Sequence, residues 1–338
     1  MPRLPPTLFR RARAISPHVA TLLPACRSVE SAVAELRWIR EHARAARADV
    51  AKLVARRGRG EPLQYVLGSQ PFGALDIRCR SGVLVPRAET EAYTMYLAQL
   101  IRAGLLGALR GGEGVRVVDF CTGTGCIALG LYEGLAGRVV GGVDVVGVDV
   151  SETAMALAEE NLGRNVDAGV LARPGGTTGV RFLKEDVFGD DVVRELRRCD
   201  VLVSNPPYVS NRVWTYGRGQ MGYSVRKYEP KLALVPAEDA PVYEGCEPAD
   251  VFYKRLLDVA AYLRPRVVLF EVGDEEQALR VVRLVKQSAY TKGARVEVWR
   301  DWPDLAPEED EKGEVIVQGG AVVVKGSGNI RSVFVVCE

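Results

Sequence analysis

The chain has 338 residues, 47% hydrophobic and 26% charged, which suits one large soluble domain plus a smaller one. No apolar run approaches the ~20 residues of a membrane span. Seven scattered cysteines without a C-x-x-C pair argue against a disulfide framework and against zinc, and the only histidines, His18 and His42, lie far from every motif that carries chemistry, which argues against a histidine mechanism.

The net charge of +2 is unevenly spread. Residues 1–60 hold 13 Arg and Lys against four acids, a local +9 that leaves −7 on the remaining 278 residues. Either a basic module faces an acidic or phosphate-rich partner, or the arginines line a solvated helix face. The first 29 residues contain no acid and carry Arg3, Arg10, Arg11, Arg13 and Arg27, the composition of a mitochondrial transit peptide. Pro2, Pro5, Pro6 and Pro17 count against one long amphipathic helix there. Residues 1–28 are therefore set apart as a candidate targeting segment.

From Val29 to Val54 apolar residues fall at 29, 33, 36, 39, 43, 46, 50 and 53, which predicts an amphipathic helix or helix pair capped by Ser28 and ended by Gly58 and Gly60. Residues 29–72 are expected to form a basic helical domain, to which the family resemblance described below assigns substrate docking, and residues 73–338 the second domain. In the latter, "LDIRCRSGVLVP" (75–86) predicts a β-hairpin turning at Ser81-Gly82. Residues 87–106 are helical and 110–114 a loop. Short buried strands follow at 115–120, 143–150, 180–186, 200–205 and 266–272, alternating with helices, and "ARVEVW" and "RSVFVVC" close the chain as strands. The alternation predicts a doubly wound α/β sheet, mostly parallel. Residues 169–179 and 236–250 read as surface loops.

Such sheets bind ligands at the C-terminal ends of their strands. The first strand runs into Asp119-Phe120-Cys121-Thr122-Gly123-Thr124-Gly125. Gly123 and Gly125 either let a ligand approach the backbone or simply make a tight turn. The second strand ends at Asp149, which could accept both hydroxyls of a ribose or cap a helix beside Ser151. After the third, Asp186 and Val187 could hold an adenine amino group and its ring. After the fourth comes Asn205-Pro206-Pro207-Tyr208. A planar amide or exocyclic amine is a poor nucleophile because its lone pair is delocalised. The Asn205 side-chain oxygen and the Pro206 carbonyl could accept both of its N–H groups, Pro207 would rigidify that carbonyl, and Tyr208 would stack on the plane.

These four strand ends resemble a class I S-adenosylmethionine-dependent methyltransferase acting on a planar nitrogen. "GEPLQYVLGSQPFGALDI" (60–77), "GVLVPRAETE" (82–91), "YEPKLALVPAED" (228–239), "FEVGDEEQA" (270–278) and "GNIRSVFV" (328–335) are similar to the HemK/PrmC-type protein-glutamine N5-methyltransferases. The likeness runs from about residue 30 to the end, broken by insertions. It implies a Rossmann-like sheet with its last strand antiparallel, a small N-terminal helical domain and a linking β-hairpin. It implies S-adenosyl-L-methionine as cofactor and the Gly-Gly-Gln glutamine of a peptide-chain release factor as substrate. By the same resemblance, Asp119 and Cys121 to Gly125 hold the methionine part, Asp149 the ribose, and Asp186 and Val187 the adenine. Asn205 serves both cofactor and substrate, Pro206, Pro207 and Tyr208 complete the clamp, and "PRAETE" (86–91) supports it. A monomer is expected, with no membrane and no stable nucleic-acid complex. The N-terminal composition points to a eukaryotic mitochondrial-type member, with the cytoplasm as the alternative.

The chain departs from the family pattern at Cys121, where glycine is usual, and at Val187, where bacterial members can carry an aromatic, so that adenine stacking could fall to Phe188. The loops 209–227 and 236–250 also differ, which bears on substrate docking more than on chemistry. An adenine-N6 methyltransferase acting on DNA or RNA is the alternative activity, since the same clamp suits a flipped base. A degenerate, non-enzymatic member is the third reading, opposed by the intact Asp149 and Asn205 to Tyr208.

Overall fold

The computed structural model describes residues 3–107, 114–217 and 221–337. The predicted loop 110–114 lies outside them except for Gly114, as do residues 218–220 of the loop 209–227. The chain divides into two compact units.

The first unit comprises Met1–Gln70, Arg78–Val85 and Arg212–Lys231. It contains α1 (Pro6–Ile15), α2 (Pro17–Cys26), α3 (Val29–Ala46), α4 (Val50–Gly58) and α5 (Leu63–Leu67). Ser28 caps α3 by accepting the Ser31 N–H at 3.0 Å, and Asp49 caps α4 by accepting from Ala51 at 2.8 Å. The buried stripe of α3 is Val29, Ala32, Leu36, Ile39 and Ala43. Its steps alternate between three and four, so Val33, expected inside, turns outward and Ala46 is exposed. Residues 6–26, read as part of a targeting segment, fold as α1 and α2. Their Ala12, Val19, Leu22 and Leu23 are buried in one core with Leu36, Ile39, Leu53 and Val54. Arg57 on α4 pairs bidentately with Glu35 on α3, at 2.6 and 2.9 Å.

The second unit comprises Pro71–Ile77, Pro86–Asn211 and Leu232–Glu338. A hairpin pairs β1 (Ser69–Phe72) with β2 (Leu75–Arg78), of which Pro71–Ile77 belong to this unit. It lies six to eight residues before the expected one and turns at Gly73, whose φ of +57° suits glycine; Ser81-Gly82 turns without a paired strand following. After α6 (Ala88–Arg102) come β3 (Val115–Phe120), α7 (Cys126–Leu135), β4 (Val143–Asp149), α8 (Glu152–Asp167), β5 (Gly179–Lys184), α9 (Asp191–Glu195) and β6 (Val201–Ser204). The chain crosses the first unit as α10 (Asn211–Tyr216) and α11 (Tyr223–Tyr228). It returns as α12 (Val251–Leu263), β7 (Val267–Glu271), α13 (Glu275–Gln287), β8 (Arg295–Trp302), β9 (Glu314–Val317), β10 (Gly320–Lys325) and β11 (Ser327–Val336).

Among the described residues the large sheet has the order β5-β4-β3-β6-β7-β11-β8-β10-β9. The run from β5 to β7 is parallel, and β11 lies antiparallel between β7 and β8. Alternate residues feed two cores. Val117, Val145, Val203 and Leu269 face α6 and α7, while Val118, Val146, Leu202 and Phe270 face α12 and α13. Coverage on both faces is why these strands read as near-continuous Val runs. The hairpin β9–β10 and helix α12 were absent from the sequence reading. Residues 236–250, read as a surface loop, end at Asp250, which is buried and paired with Arg280 at 2.5 Å.

Candidate active site

The sheet register brings the strand ends level. Phe120 at the end of β3 is opposite Val148 on one side and Ser204 on the other, and Ser204 is opposite Phe270. From β3 the chain winds outward to β4 and β5, then crosses to β6 and β7, so the winding reverses between β3 and β6. A crevice at that switch point is where open α/β sheets take ligands.

Asp119 is fully buried one residue before the end of β3. Its Oδ2 accepts the Thr122 hydroxyl at 2.5 Å and the Ala128 N–H, in the first turn of α7, at 3.2 Å. Its Oδ1 is buried with no partner among the described residues. Burial pushes the carboxyl up to about 7 against the pull of those two hydrogen bonds. The loop between is left-handed at Cys121 (φ +59°), Gly123 (φ +56°) and Gly125 (φ +79°). A Cβ on Gly125 would lie 3.1 Å from the Ala158 Cβ and the Phe182 ring, so glycine is required there for space as well as for φ. Cys121 holds its conformation against roughly 1–2 kcal/mol of local strain. Burial keeps its thiol well above the usual range, helped by the charge of Asp149. The buried Thr124 offers its carbonyl to the Asn161 side chain at 2.9 Å.

Asp149 ends β4 and holds this loop. Its Oδ2 accepts the Gly123 N–H and its Oδ1 the Ser151 N–H, both at 2.9 Å. The cap of α8 is Ser151 itself, which accepts from Ala154 at 3.3 Å. Each Asp149 oxygen thus keeps lone pairs for a further donor. Burial raises its pKa, opposed by the backbone N–H groups of Ser151, Gly123 and Val150. Beyond β5, Asp186 is exposed and accepts the Phe188 N–H at 2.9 Å. Val187 is buried, and Phe188 packs edge-on against Phe252 with centroids 4.8 Å apart.

Beyond β6, the Ser204 hydroxyl donates to the Phe120 carbonyl at 2.8 Å, tying the two strand ends together. Asn205 is half-buried, and among the described residues none takes up its side-chain amide. Pro206 and Pro207 are buried. Tyr208 donates its hydroxyl to Glu271 Oε1 at 3.1 Å, and its carbonyl accepts Gln277 Nε2 at 3.2 Å. Glu271 ends β7 with its carboxylate buried, and its Oε2 accepts the Thr90 hydroxyl at 2.6 Å. Burial raises the Glu271 pKa, opposed by Thr90 and by the Arg331 guanidinium.

Asp119 to Gly125 and Asp149 are therefore joined by direct hydrogen bonds. Asn205 to Tyr208 sit at the adjoining strand end, and Asp186 and Val187 lie beyond β5 at the sheet edge. Sequence reasoning did not single out Glu271 or Gln277. The available signal was one carboxylate closing the otherwise apolar "VVLFE".

A doubly wound sheet whose final strand inserts antiparallel, with this glycine turn, acid and Asn-Pro-Pro-Tyr at its C-terminal edge, is the class I methyltransferase fold. No family model matches the sequence. Curated relatives do. The mitochondrial MRF1 N(5)-glutamine methyltransferase of Saccharomyces cerevisiae is 32% identical over 293 residues, 86% of this chain and 82% of the yeast protein. The release factor glutamine methyltransferase of Geobacter sulfurreducens is 36% identical over 67% of this chain and 66% of its own. The ribosomal protein uL3 glutamine methyltransferase of Xanthomonas campestris is 34% identical over 64% of this chain and 59% of its own. The chain belongs to the N5-glutamine methyltransferase family.

Proposed function

We propose that this protein methylates the side-chain nitrogen of the glutamine in the Gly-Gly-Gln motif of a mitochondrial peptide-chain release factor, using S-adenosyl-L-methionine. The observation that carries the reading is Asn205: its amide is unengaged by the described residues, at a strand end tied through Ser204 to the loop of Asp119 and Asp149. The yeast relative, named for a mitochondrial substrate, supports the compartment and the target.

The residues present fit the cofactor. The unpartnered Asp119 Oδ1 matches an ammonium group, the spare lone pairs of Asp149 match a ribose diol, and Asp186, Val187 and Phe188 offer an acceptor and apolar surface to an adenine. When bound, the cofactor supplies a methyl group on a positively charged sulfur. The protein's own contribution is to the nucleophile. Asn205 Oδ1 and the Pro206 carbonyl accept the two amide N–H groups, which confines electron density to the nitrogen. The Tyr208 ring covers the amide plane, and the two oxygens hold the N–H groups by hydrogen bonds until the proton of the methylated nitrogen is lost to water.

The adenine-N6 reading is not favoured, since these relatives are named for glutamine. The test is incubation with radiolabelled S-adenosylmethionine and a recombinant mitochondrial release factor. Label should enter the native factor and not one whose Gly-Gly-Gln glutamine is alanine. Transfer to ribosomal protein uL3 alone would refute the substrate assignment.

A further inference from the structure

A carboxylate buried in a sheet is costly unless each oxygen is engaged, and an apolar residue of similar volume is usually as stable. Glu271 is such a carboxylate, 1% exposed at the end of a strand whose other four residues are Val, Val, Leu and Phe. Its two oxygens face two motifs. Oε2 takes the hydroxyl of Thr90 in the first turn of α6, and Oε1 takes that of Tyr208. Thr90 lies in "PRAETE" and Tyr208 in "NPPY", which are 118 residues apart in the chain.

The ring of Tyr208 is held on its other sides as well. Gly273 lies so close that a Cβ there would sit 3.1 Å from Tyr208 Cδ2. Gln277 Nε2 holds the Tyr208 carbonyl, and the next residue, Val209, donates its N–H to the Leu234 carbonyl at 2.8 Å. Gln277 is itself fixed, with its Oε1 accepting the Gly273 N–H at 2.8 Å and its Nε2 donating to Asp250 at 2.8 Å. Backbone and ring edge are thus fixed by Gln277 and Gly273. The hydroxyl is the remaining point that sets the ring plane, and only Glu271 holds it among the described residues.

We propose that Glu271 is a positioning residue for the methyl transfer: anchored by Thr90, it sets the plane of Tyr208 and so the angle at which the clamp receives the glutamine amide. This rests on the proposed function above, because the ring plane matters only if a planar amide is bound beneath it. The competing explanation is purely architectural, with Glu271 serving to attach α6 to β7.

The test uses the full chain with Glu271→Gln, Tyr208→Phe and the double variant. Turnover of the release factor should fall about tenfold to a hundredfold in each single variant, the range expected when a reacting group is displaced by about an ångström. The KM for the factor and the affinity for S-adenosylmethionine should change little. The double variant should be no slower than Tyr208→Phe alone, because Glu271 acts through that hydroxyl. Multiplying losses, or full activity in Glu271→Gln, would overturn the proposal. Should Glu271→Gln not fold, Thr90→Val removes one of the two anchors, and Thr90→Ser should restore what Thr90→Val loses.

A second readout needs no substrate. In protein labelled with 3-fluorotyrosine, the Tyr208 fluorine resonance is assigned by its loss in Tyr208→Phe. It should shift and sharpen in Glu271→Gln as the ring is released. An unchanged resonance sinks the inference even if the release factor is not the substrate. Failure of the native enzyme to label any factor, with the resonance shifted, overturns only the substrate assignment.

Discussion

Thr122 gives its hydroxyl to one oxygen of Asp119 at 2.5 Å, while the other oxygen of that carboxylate is buried with no partner among the described residues. Half of Asp119 is thus committed to holding the turn after β3, and in the proposed function the other half meets the cofactor's ammonium group. The imbalance explains the carboxyl's position at about 7, since desolvation outweighs the two hydrogen bonds that favour its charge.

Stability should therefore depend on pH in a defined direction. The native state holds this proton more tightly than the unfolded chain, whose carboxyl titrates near 3.8. The resulting stability is fully present below about pH 4 and is lost as pH rises through about 7. The total is on the order of 4 kcal/mol for three pH units. Asp119→Asn removes the titration and keeps the shape. Urea unfolding of the two ligand-free proteins at pH 5 and pH 7.5 gives the difference. Native minus Asp119→Asn should fall between those pH values, and a rise would contradict the assignment. Affinity for S-adenosylmethionine should run the opposite way in the native protein, increasing from pH 5.5 to 7 as the carboxylate forms to meet the ammonium group. Calorimetry reads this directly, and the increase should be absent from Asp119→Asn.

Asn205→Ala separates binding from chemistry. The side chain touches no described residue through its amide, so its removal leaves no buried group unpaired and should cost little stability. Turnover should drop by about a hundredfold or more, in line with the loss of a preorganised polar group. Cofactor affinity, which the proposed function assigns to Asp119 and Asp149, should change by only a few-fold. A variant that methylates at the native rate refutes the clamp.

The parts of the fold that were legible are those where one local rule suffices. β3, β4, β6 and β7 announce themselves as Val-rich runs, and the turn after β3 and the Pro206-Pro207 stop mark their ends. The hairpin was misplaced because Ser81-Gly82 has turn composition, yet the strand that pairs with Leu75–Arg78 precedes it across Gly73. The missed β9–β10 hairpin turns on Gln318 (φ +53°) and Gly319 (φ +77°) between alternating runs, a pattern visible in "EVIVQGGAVVVK". α1 and α2 were read for their arginines, although Val19, Leu22 and Leu23 were present as a core face. Glu271 stayed hidden for a different reason. Its partners come from α6 and from the segment after β6, and no local pattern joins residues 90, 208 and 271.

Cys121 offers a test of strain. Its φ of +59° suits glycine, so Cys121→Gly should remove roughly 1–2 kcal/mol of strain. Part of that gain is cancelled by the greater freedom of glycine in the unfolded chain, about 0.5–1 kcal/mol. A net rise in stability of at most about 1.5 kcal/mol should appear as a slightly higher Tm, with cofactor affinity retained. The native thiol, held protonated by burial, should alkylate slowly with iodoacetamide at pH 7 in the folded protein. Rapid labelling at Cys121 would show that the loop opens.

Residues 1–28 carry the composition of a targeting peptide, but two of their leucines are wholly buried. Leu22 and Leu23, both 0% exposed on α2, share a core with Ile39 of α3 and Leu53 of α4. Deleting a buried leucine side chain costs about 2–5 kcal/mol, so Leu23→Ala should unfold the first unit at markedly lower urea than the native chain. Removal of residues 1–28 takes away α1 and α2 together and uncovers Leu36 and Ile39. The truncated protein should be cut by trypsin at the arginines of α3 long before the full chain is. Under the proposed mitochondrial function, the folded form keeps α2, so N-terminal sequencing of protein recovered from mitochondria should place its first residue ahead of Val19. A mature chain beginning near Val29, with native resistance to trypsin, would mean that α1 and α2 are dispensable to the folded unit.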